Sequence, residues 1–231
     1  MAVITISRQF GSRGDEIADC ICHELGYRQF DKRLIAQAAA GAGLSDQEII
    51  DFSEENYKVK NFLDRLLGRS QTVAQVRVWK EDAQGVRASE AIQINEEYAL
   101  MLTKRAVESA HHTGNIVIVG RGGQVILKDY LDVLHIRIEA PLENRIQWVK
   151  TQMKGEHHLP TDTVEARRKA QDLIGARDLA SADYMRKFYG VDWDDPLLYH
   201  LIINTGKVKM NLTVQMIIDM VNSPIIERVT V

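Results

Sequence analysis

The stretch 2-AVITISRQFGSRGDEIADCICHELG-26 decides the fold. Residues 2–7 (AVITIS) are apolar and rich in β-branched side chains, the pattern of a short strand buried on both faces. The turn 8-RQFGSRG-14 follows. From about Asp15 to Leu25 the spacing predicts a helix whose apolar face carries Ile17, Ile21 and Leu25, with Gly26 in the usual post-helical position. Gly11 and Gly14 can adopt positive φ, which lets successive backbone N–H groups point into one concavity. The helix start adds a partial positive charge, and Arg8 and Arg13 add guanidinium forks that match phosphate oxygens. The segment reads as a phosphate-binding loop. The plainer alternative is a tight β–α connection with no ligand.

Outward from this segment, strands and helices alternate. Residues 27–31 (YRQFD) suit a second short strand, 32–42 an alanine-rich helix, and Ser45 with Glu48 forms a capping box for another helix. Between about 56 and 93 the pattern weakens. There a helical LDRLLGR stretch gives way to 73-VAQVRVWK-80, alternating like a half-buried strand, with a turn at Gly85 and a return strand at 86–92. Asn95 caps the next helix and Gly114 ends it. Residues 116-IVIVG-120 form a buried strand leading into 121-RGG-123, and 133-VLHIRIEA-140 forms another. A helix then starts with Pro141 in its first turn and ends near Gly155. A long polar helix from about Thr161 to Tyr189 is expected to break near Gly175. The loop 190-GVDWDDP-196, a strand at 199–204 and a last helix burying Val214, Ile217, Ile218 and Val221 before Pro224 complete the chain. Strands separated by helices imply crossovers, hence an α/β fold with a mostly parallel sheet covered on both faces. Ligands in such sheets bind at the carboxyl ends of the strands, which directs attention to the turns after residues 7, 120, 140 and 204.

Beside the first turn, Gly120-Arg121-Gly122-Gly123 holds an arginine between glycines at a strand's end. It is either a ligand-reaching arginine or a surface side chain on a loop. Arg167, Arg168, Lys169, Arg177, Arg186 and Lys187, interleaved with Glu165, Asp172, Asp178 and Asp183, read as a solvated helix face with i,i+4 pairs. The alternative is a lid whose arginines close on phosphates. His111-His112 and His157-His158 are adjacent pairs whose side chains diverge by about 100° on a helix, so neither makes a metal site alone. Trp148 and Trp193 suit packing. Cys20 and Cys22 are too few for a disulfide framework and read as structural thiols in a reducing, cytoplasmic setting. A net charge of −3 argues against a dedicated nucleic-acid binder, and the longest apolar runs fall short of a membrane span.

Four motifs, ITISRQFGSRGDEIA, IVIVGRGG, IEAPLENRI and FYGVDWDDPLLYHLIINT, stand in an order that resembles the cytidylate kinase-like proteins of the nucleoside-monophosphate kinase group. The resemblance implies a three-layer P-loop kinase-like fold in a single domain over 1–231. It also implies a five-stranded parallel sheet, a monophosphate-binding insert at 45–95 and an arginine-bearing lid at 155–189. Better-known members transfer the γ-phosphoryl group of ATP to CMP or dCMP with Mg²⁺. By this likeness Ser7, Arg8, Gly11, Ser12, Arg13, Gly14, Asp15 and Glu16 line the phosphate loop and Arg121 grips the acceptor monophosphate. Arg145 falls on a helix-borne arginine near the lid, and Arg177 with Asp178 on the lid's Arg-Asp element. Arg13, Arg121, Arg145 and Arg177 are then the catalytic candidates, and Glu16 the Mg²⁺ candidate.

The departures are as informative. A working P-loop reads GxxxxGK[ST], with the lysine on the β/γ-phosphates and the hydroxyl on Mg²⁺. Here Gly14 stands at the lysine and Glu16 at the hydroxyl. Asp15 stands where the ISRQ branch often has an arginine, Ser181 where a lid arginine is expected, and Gly122 where true cytidylate kinases have aspartate. Each preorganised electrostatic donor lost from such a site costs roughly 2.7–4 kcal/mol of transition-state stabilisation. Arg8 or Arg13 is the candidate stand-in. The expected activity is an ATP- and Mg²⁺-dependent phosphotransferase acting on a pyrimidine nucleoside monophosphate or another small phosphorylated acceptor. The alternative is an inactive nucleotide-sensing module that keeps the cradle, and a nucleic-acid-modifying kinase is less favoured. The alternating strand at 73–79 offers a route to a homo-oligomer.

Overall fold

The computed structural model describes residues 2–30, 34, 72–81, 87–157 and 163–223. The helices expected at 32–42 and after Ser45, the LDRLLGR segment, the turn at Gly85 and the stop at Pro224 lie outside these residues. The buried β-branched run at the start forms β1 (Val3–Arg8), followed by α1 (Gly14–Leu25) and the two-residue β2 (Arg28–Gln29). β3 (Thr72–Glu81) and β4 (Arg87–Asn95) pair antiparallel as a separate hairpin, in line with the alternation at 73–80 and the return strand at 86–92. Next come α2 (Glu96–Thr113), β5 (Ile116–Val119), the short α3 (Gly123–Ile126) and β6 (Val133–Glu139). Then follow α4 (Leu142–His157), α5 (Val164–Tyr189), a 3₁₀ turn at Pro196–Leu198, β7 (Leu201–Asn204) and α6 (Met210–Asn222).

The main sheet has the order β2-β5-β1-β6-β7, and every pairing in it is parallel. β1 lies in the middle because it is buried on both faces, Ile4 and Ile6 on one and Val3, Thr5 and Ser7 on the other. Ile4 and Ile6 pack with Ile17 and Ile21 of α1 and Ile217 of α6, whereas Val3 packs with Ile116, Ile118 and Ala106 and Val107 of α2 on the opposite face. The chain leaves β1 for one side of the sheet, returns beside it as β5, and crosses to the other side as β6. The topological switch point therefore lies at the carboxyl end of β1, the place where ligands bind in sheets of this kind.

Two expected breaks are absent. α5 runs unbroken through Gly175 and α4 continues past Gly155 to His157. A Cβ on Gly175 would meet nothing within 4 Å, so that glycine lies on an open face. One glycine costs a helix only about 0.5–1 kcal/mol, which the packing of Ile146 and Val149 on Ala170 and Ile174 outweighs. The charged face of α5 is laced with local pairs, Lys169–Glu165 at 2.7 Å and Arg186–Asp183 at 3.6 Å among them. Arg167 reaches across to Glu143 of α4 in a bidentate pair.

One face of the central strands carries polar side chains that are buried. Arg137 of β6 has 0% exposure. Its Nε donates to Glu139 at 2.5 Å, its Nη1 to the Trp193 carbonyl at 2.5 Å and to the Tyr199 hydroxyl at 3.2 Å, and its Nη2 to Asp194. The Trp193 indole stacks under the guanidinium at 4.3 Å and donates to Ser7 Oγ at 2.9 Å. One layer down, Thr5 Oγ1 lies 2.7 Å from His135 Nδ1, and the His135 ring stacks on His200 at 5.1 Å.

Burial, reinforced by the neighbouring His200, pushes the His135 pKa down to about 4. The unfolded chain takes up this proton near pH 6.5 and the folded chain does not, so stability is complete above pH 7 and falls as the pH drops towards 4. Between pH 7 and 5 the loss is on the order of 2 kcal/mol for this group. Urea midpoints measured across that range should fall in the unsubstituted chain and flatten in His135→Gln. An equally steep fall in the variant would assign the effect elsewhere.

Candidate functional site

The phosphate-loop candidate sits at the carboxyl end of β1. After Arg8 the Gln9 N–H still bonds the Ile138 carbonyl at 3.0 Å, and the Ser12 N–H closes a turn on the Gln9 carbonyl at 3.1 Å. Gly11 takes φ +83° and Arg13 φ +66°. A left-handed arginine costs about 1–2 kcal/mol, strain of the kind that collects at functional turns. α1 has no side-chain cap, and its first bond runs from the Ile17 N–H to the Arg13 carbonyl at 3.1 Å. Helix geometry leaves the N–H groups of Gly14, Asp15 and Glu16 at the open end. A left-handed residue leading into an uncapped helix makes an anion-binding nest, and its donors fit phosphate oxygens.

The loop is held from outside by α4 and α5. Arg145 pairs with Asp178 and donates to the Phe10 carbonyl at 3.3 Å, while Asp178 accepts the Phe10 N–H at 2.9 Å. Both sides of the Phe10 residue are thereby gripped, and Arg177 lies over the Phe10 ring at 5.6 Å. Gly11 is required here, because a Cβ would lie 3.1 Å from Arg145 Cβ and 3.1 Å from Val149 Cγ2. Arg145, buried in this clamp, positions the loop. The Ser12 carbonyl accepts from the Thr205 hydroxyl at 2.8 Å, tying the loop also to the segment after β7.

The loop's charges are arranged in pairs. Arg8 meets Asp15 at 3.2 Å and Arg13 meets Glu16 at 2.6 Å. The Trp148 indole donates to the other Glu16 oxygen at 2.6 Å. Burial alone would raise the Glu16 pKa, but the hydrogen bonds from Arg13 and Trp148 outweigh it and hold the carboxyl below its usual range. Asp15 and Glu16, the two acids at the helix start, are thus each met by a cation. Glu16 accepts two hydrogen bonds from Arg13 on Oε2 and one from Trp148 on Oε1, so a Mg²⁺ there would have one remaining lone-pair site, on Oε1, and would compete with the Arg13 charge beside it.

Position 14 departs from the P-loop pattern for a steric reason. A Cβ on Gly14 would lie 2.6 Å from Arg8 Cβ and 2.9 Å from Arg8 Cγ. The stem of Arg8 occupies the space in which a side chain at 14 would begin. The second turn repeats the theme: Gly120, Arg121 and Gly122 are left-handed in succession at φ +67°, +64° and +70°. A Cβ on Gly122 would fall 2.6 Å from the Tyr189 ring. The Gly120 N–H bonds the Ile6 carbonyl at 2.9 Å, so the half-buried Arg121 stands beside the phosphate loop.

The remaining residues singled out from sequence separate from this centre. The Ser7 hydroxyl, expected at the loop, faces the Arg137 network. His111 bonds Asp132 at 2.9 Å and packs on the Tyr130 ring at 4.2 Å. Cys20 and Cys22 are half-buried free thiols, and burial followed by the nearby Asp19 pushes Cys22 up to about 11, well away from reactivity. Sequence reasoning missed Arg137, Trp148 as a Glu16 donor, and Gln9, whose Oε1 accepts the Ala140 N–H at 3.2 Å. The one available signal was an arginine in an otherwise buried strand, with the acids of 192-DWDD-195 to meet it.

A uniformly parallel five-stranded sheet with a phosphate-loop candidate on its central strand is the fold of a kinase-like α/β protein. A family model described as the cytidylate kinase-like family matches residues 3–207, and the chain belongs to that family. No curated protein matches it. Among solved structures, an uncharacterized protein from Eubacterium ventriosum is similar at 17% identity and TM-score 0.60, with 96% of this chain and 99% of that one covered. A shikimate kinase from Bacteroides thetaiotaomicron aligns at 9% identity and TM-score 0.47 over 96% of this chain and 99% of its own. A shikimate kinase from Acinetobacter baumannii aligns at 13% and 0.43 over 98% and 96%.

Asp178→Ala removes the carboxylate from a mostly buried arginine and releases the Phe10 N–H. The expected cost is on the order of 3 kcal/mol in urea unfolding, with Asp178→Asn losing less because it keeps the acceptor for Phe10. Equal stability of Asp178→Ala and the unsubstituted chain would show that the clamp does not hold the loop.

Proposed function

We propose that this chain is a nucleotide-binding phosphotransferase that passes the γ-phosphoryl group of ATP to a nucleoside monophosphate, or to a similar small phosphorylated acceptor. The observation that carries the reading is the uncapped, left-handed entry into α1 at the switch point of the sheet, beside the strained Arg121 turn. Two anion-seeking turns on adjacent strands suit two phosphate groups, one from the donor and one from the acceptor. The loop N–H groups and Arg8 hold the donor phosphates, and Arg121 the acceptor. Arg145 and Asp178 keep the loop in place, with Arg177 next to it. Mg²⁺, if bound, would be held chiefly by the nucleotide phosphates, with Glu16 as the nearest protein carboxylate, and would supply charge neutralisation there. Within the single domain, 45–95 serves as the acceptor-binding insert and 155–189 as the lid, in a cytoplasmic protein. Catalysis rests on positioning and electrostatics, since an ionised phosphate acceptor requires no general base.

One observation favours a second reading. Both arginines of the loop are tied to acids of the loop itself, Arg8 to Asp15 and Arg13 to Glu16. A cradle quiet in this way suits a module that binds nucleotide without turnover. The deciding experiment measures ATP consumption with each nucleoside monophosphate, beside calorimetric binding of ATP and CMP. Turnover with at least one monophosphate is expected. Binding without turnover for every acceptor would establish the sensor, and no binding at all would remove both readings.

A further inference from the structure

The lysine missing from position 14 raises the question of which charge serves the phosphates. Two arginines border the loop, and their surroundings differ. Arg13 is exposed, with Nη2 on Glu16 at 2.6 Å and 3.8 Å from Met210 Sδ, so its guanidinium lies on the α6 side of the turn. Arg8 has a side chain only 14% exposed, and its stem lies over Gly14 itself. The overlap distances of 2.6 and 2.9 Å involve Cβ and Cγ of Arg8, the least movable atoms of that side chain. A side chain at 14, lysine included, and any residue but glycine at 8 therefore exclude each other, and the Cγ of Arg8 tightens the overlap further.

We propose that Arg8 is the phosphate-binding cation of this site. It projects from the end of β1 through the volume that a lysine at 14 would use, and Asp15 is its resting counter-ion. The assignment rests on the phosphotransferase or nucleotide-binding reading above. It explains three departures together: glycine at 14 makes room for the Arg8 stem, arginine at 8 restores the charge, and Asp15 holds the guanidinium over the helix start at 3.2 Å. An incoming phosphate exchanges with Asp15 for the guanidinium, so Asp15 weakens anion binding in the resting protein. The guanidinium also offers paired N–H donors in a plane, which suits two phosphate oxygens at once.

The test is calorimetric binding of inorganic pyrophosphate and of Mg²⁺–ATP to the full chain, with folding followed by thermal melting. Arg8→Gln keeps the stem over Gly14 and removes the charge, and it should weaken both ligands at least tenfold. Arg13→Gln should change them less than threefold. Asp15→Asn should tighten pyrophosphate binding about threefold. Gly14→Lys alone should lower the melting temperature without gain in affinity. Arg8→Gly/Gly14→Lys, which removes the overlapping Cβ at 8 and moves the charge to the usual P-loop position, should return affinity to within threefold of the unsubstituted chain. Unchanged binding by Arg8→Gln, a larger loss from Arg13→Gln, or a double variant that binds no better than Arg8→Gln would each overturn the assignment of Arg8 alone. Failure of the unsubstituted chain to bind either ligand would overturn this assignment and the nucleotide-binding reading together.

Discussion

The buried guanidinium of Arg137 constrains everything at the carboxyl edge of the sheet. An unpaired charge inside a sheet is far too costly to keep, so the fold has to bring it partners. They come from three directions: Glu139 from its own strand, the Trp193 carbonyl and Asp194 from the segment after α5, and Tyr199 from the approach to β7. Removing any of them leaves the charge under-satisfied, so residues 190–199 have one place to lie. Ser7 completes the arrangement from β1 by accepting the Trp193 indole. The strand that launches the phosphate loop is thereby joined to the segment that closes the sheet.

The second grip comes from the other side. Arg145 and Asp178 fix the Phe10 peptide, and Thr205 fixes the Ser12 carbonyl. Between these points the chain holds a left-handed arginine and a glycine wedged against α4. Strain of this kind persists only where surrounding contacts over-determine the backbone. The turn is therefore fixed by its own scaffold, so the anion binding proposed above would cost little ordering entropy.

Local chemistry made much of the fold legible in the sequence. The β-branched runs at 2–7, 116–119 and 133–139 became central parallel strands, and Gly26, Gly114 and Gly190 carry the left-handed backbone that follows their helices. Gly175 misled, because an exposed glycine weakens a helix less than packing on α4 strengthens it. The cradle was also legible, from its glycines and arginines. Its supports were not. Trp148 meets Glu16 across 132 residues, Arg145 meets Asp178 across 33, and Arg137 meets Asp194 across 57. Contacts at such separations leave no periodic trace, and the same residue types also suit solvated surfaces.

The overlap between Gly14 and Arg8 has a consequence for the history of this loop. Positions 8 and 14 are locked to one another: a side chain at 14 requires glycine at 8, because even the Cβ of position 8 would lie 2.6 Å away, and glycine at both positions leaves the cradle without its nearest charge. Neither single exchange leads back to a lysine-bearing loop through an intact intermediate. Descendants of such a protein should keep the pair together or change both at once, so the two positions drift as one.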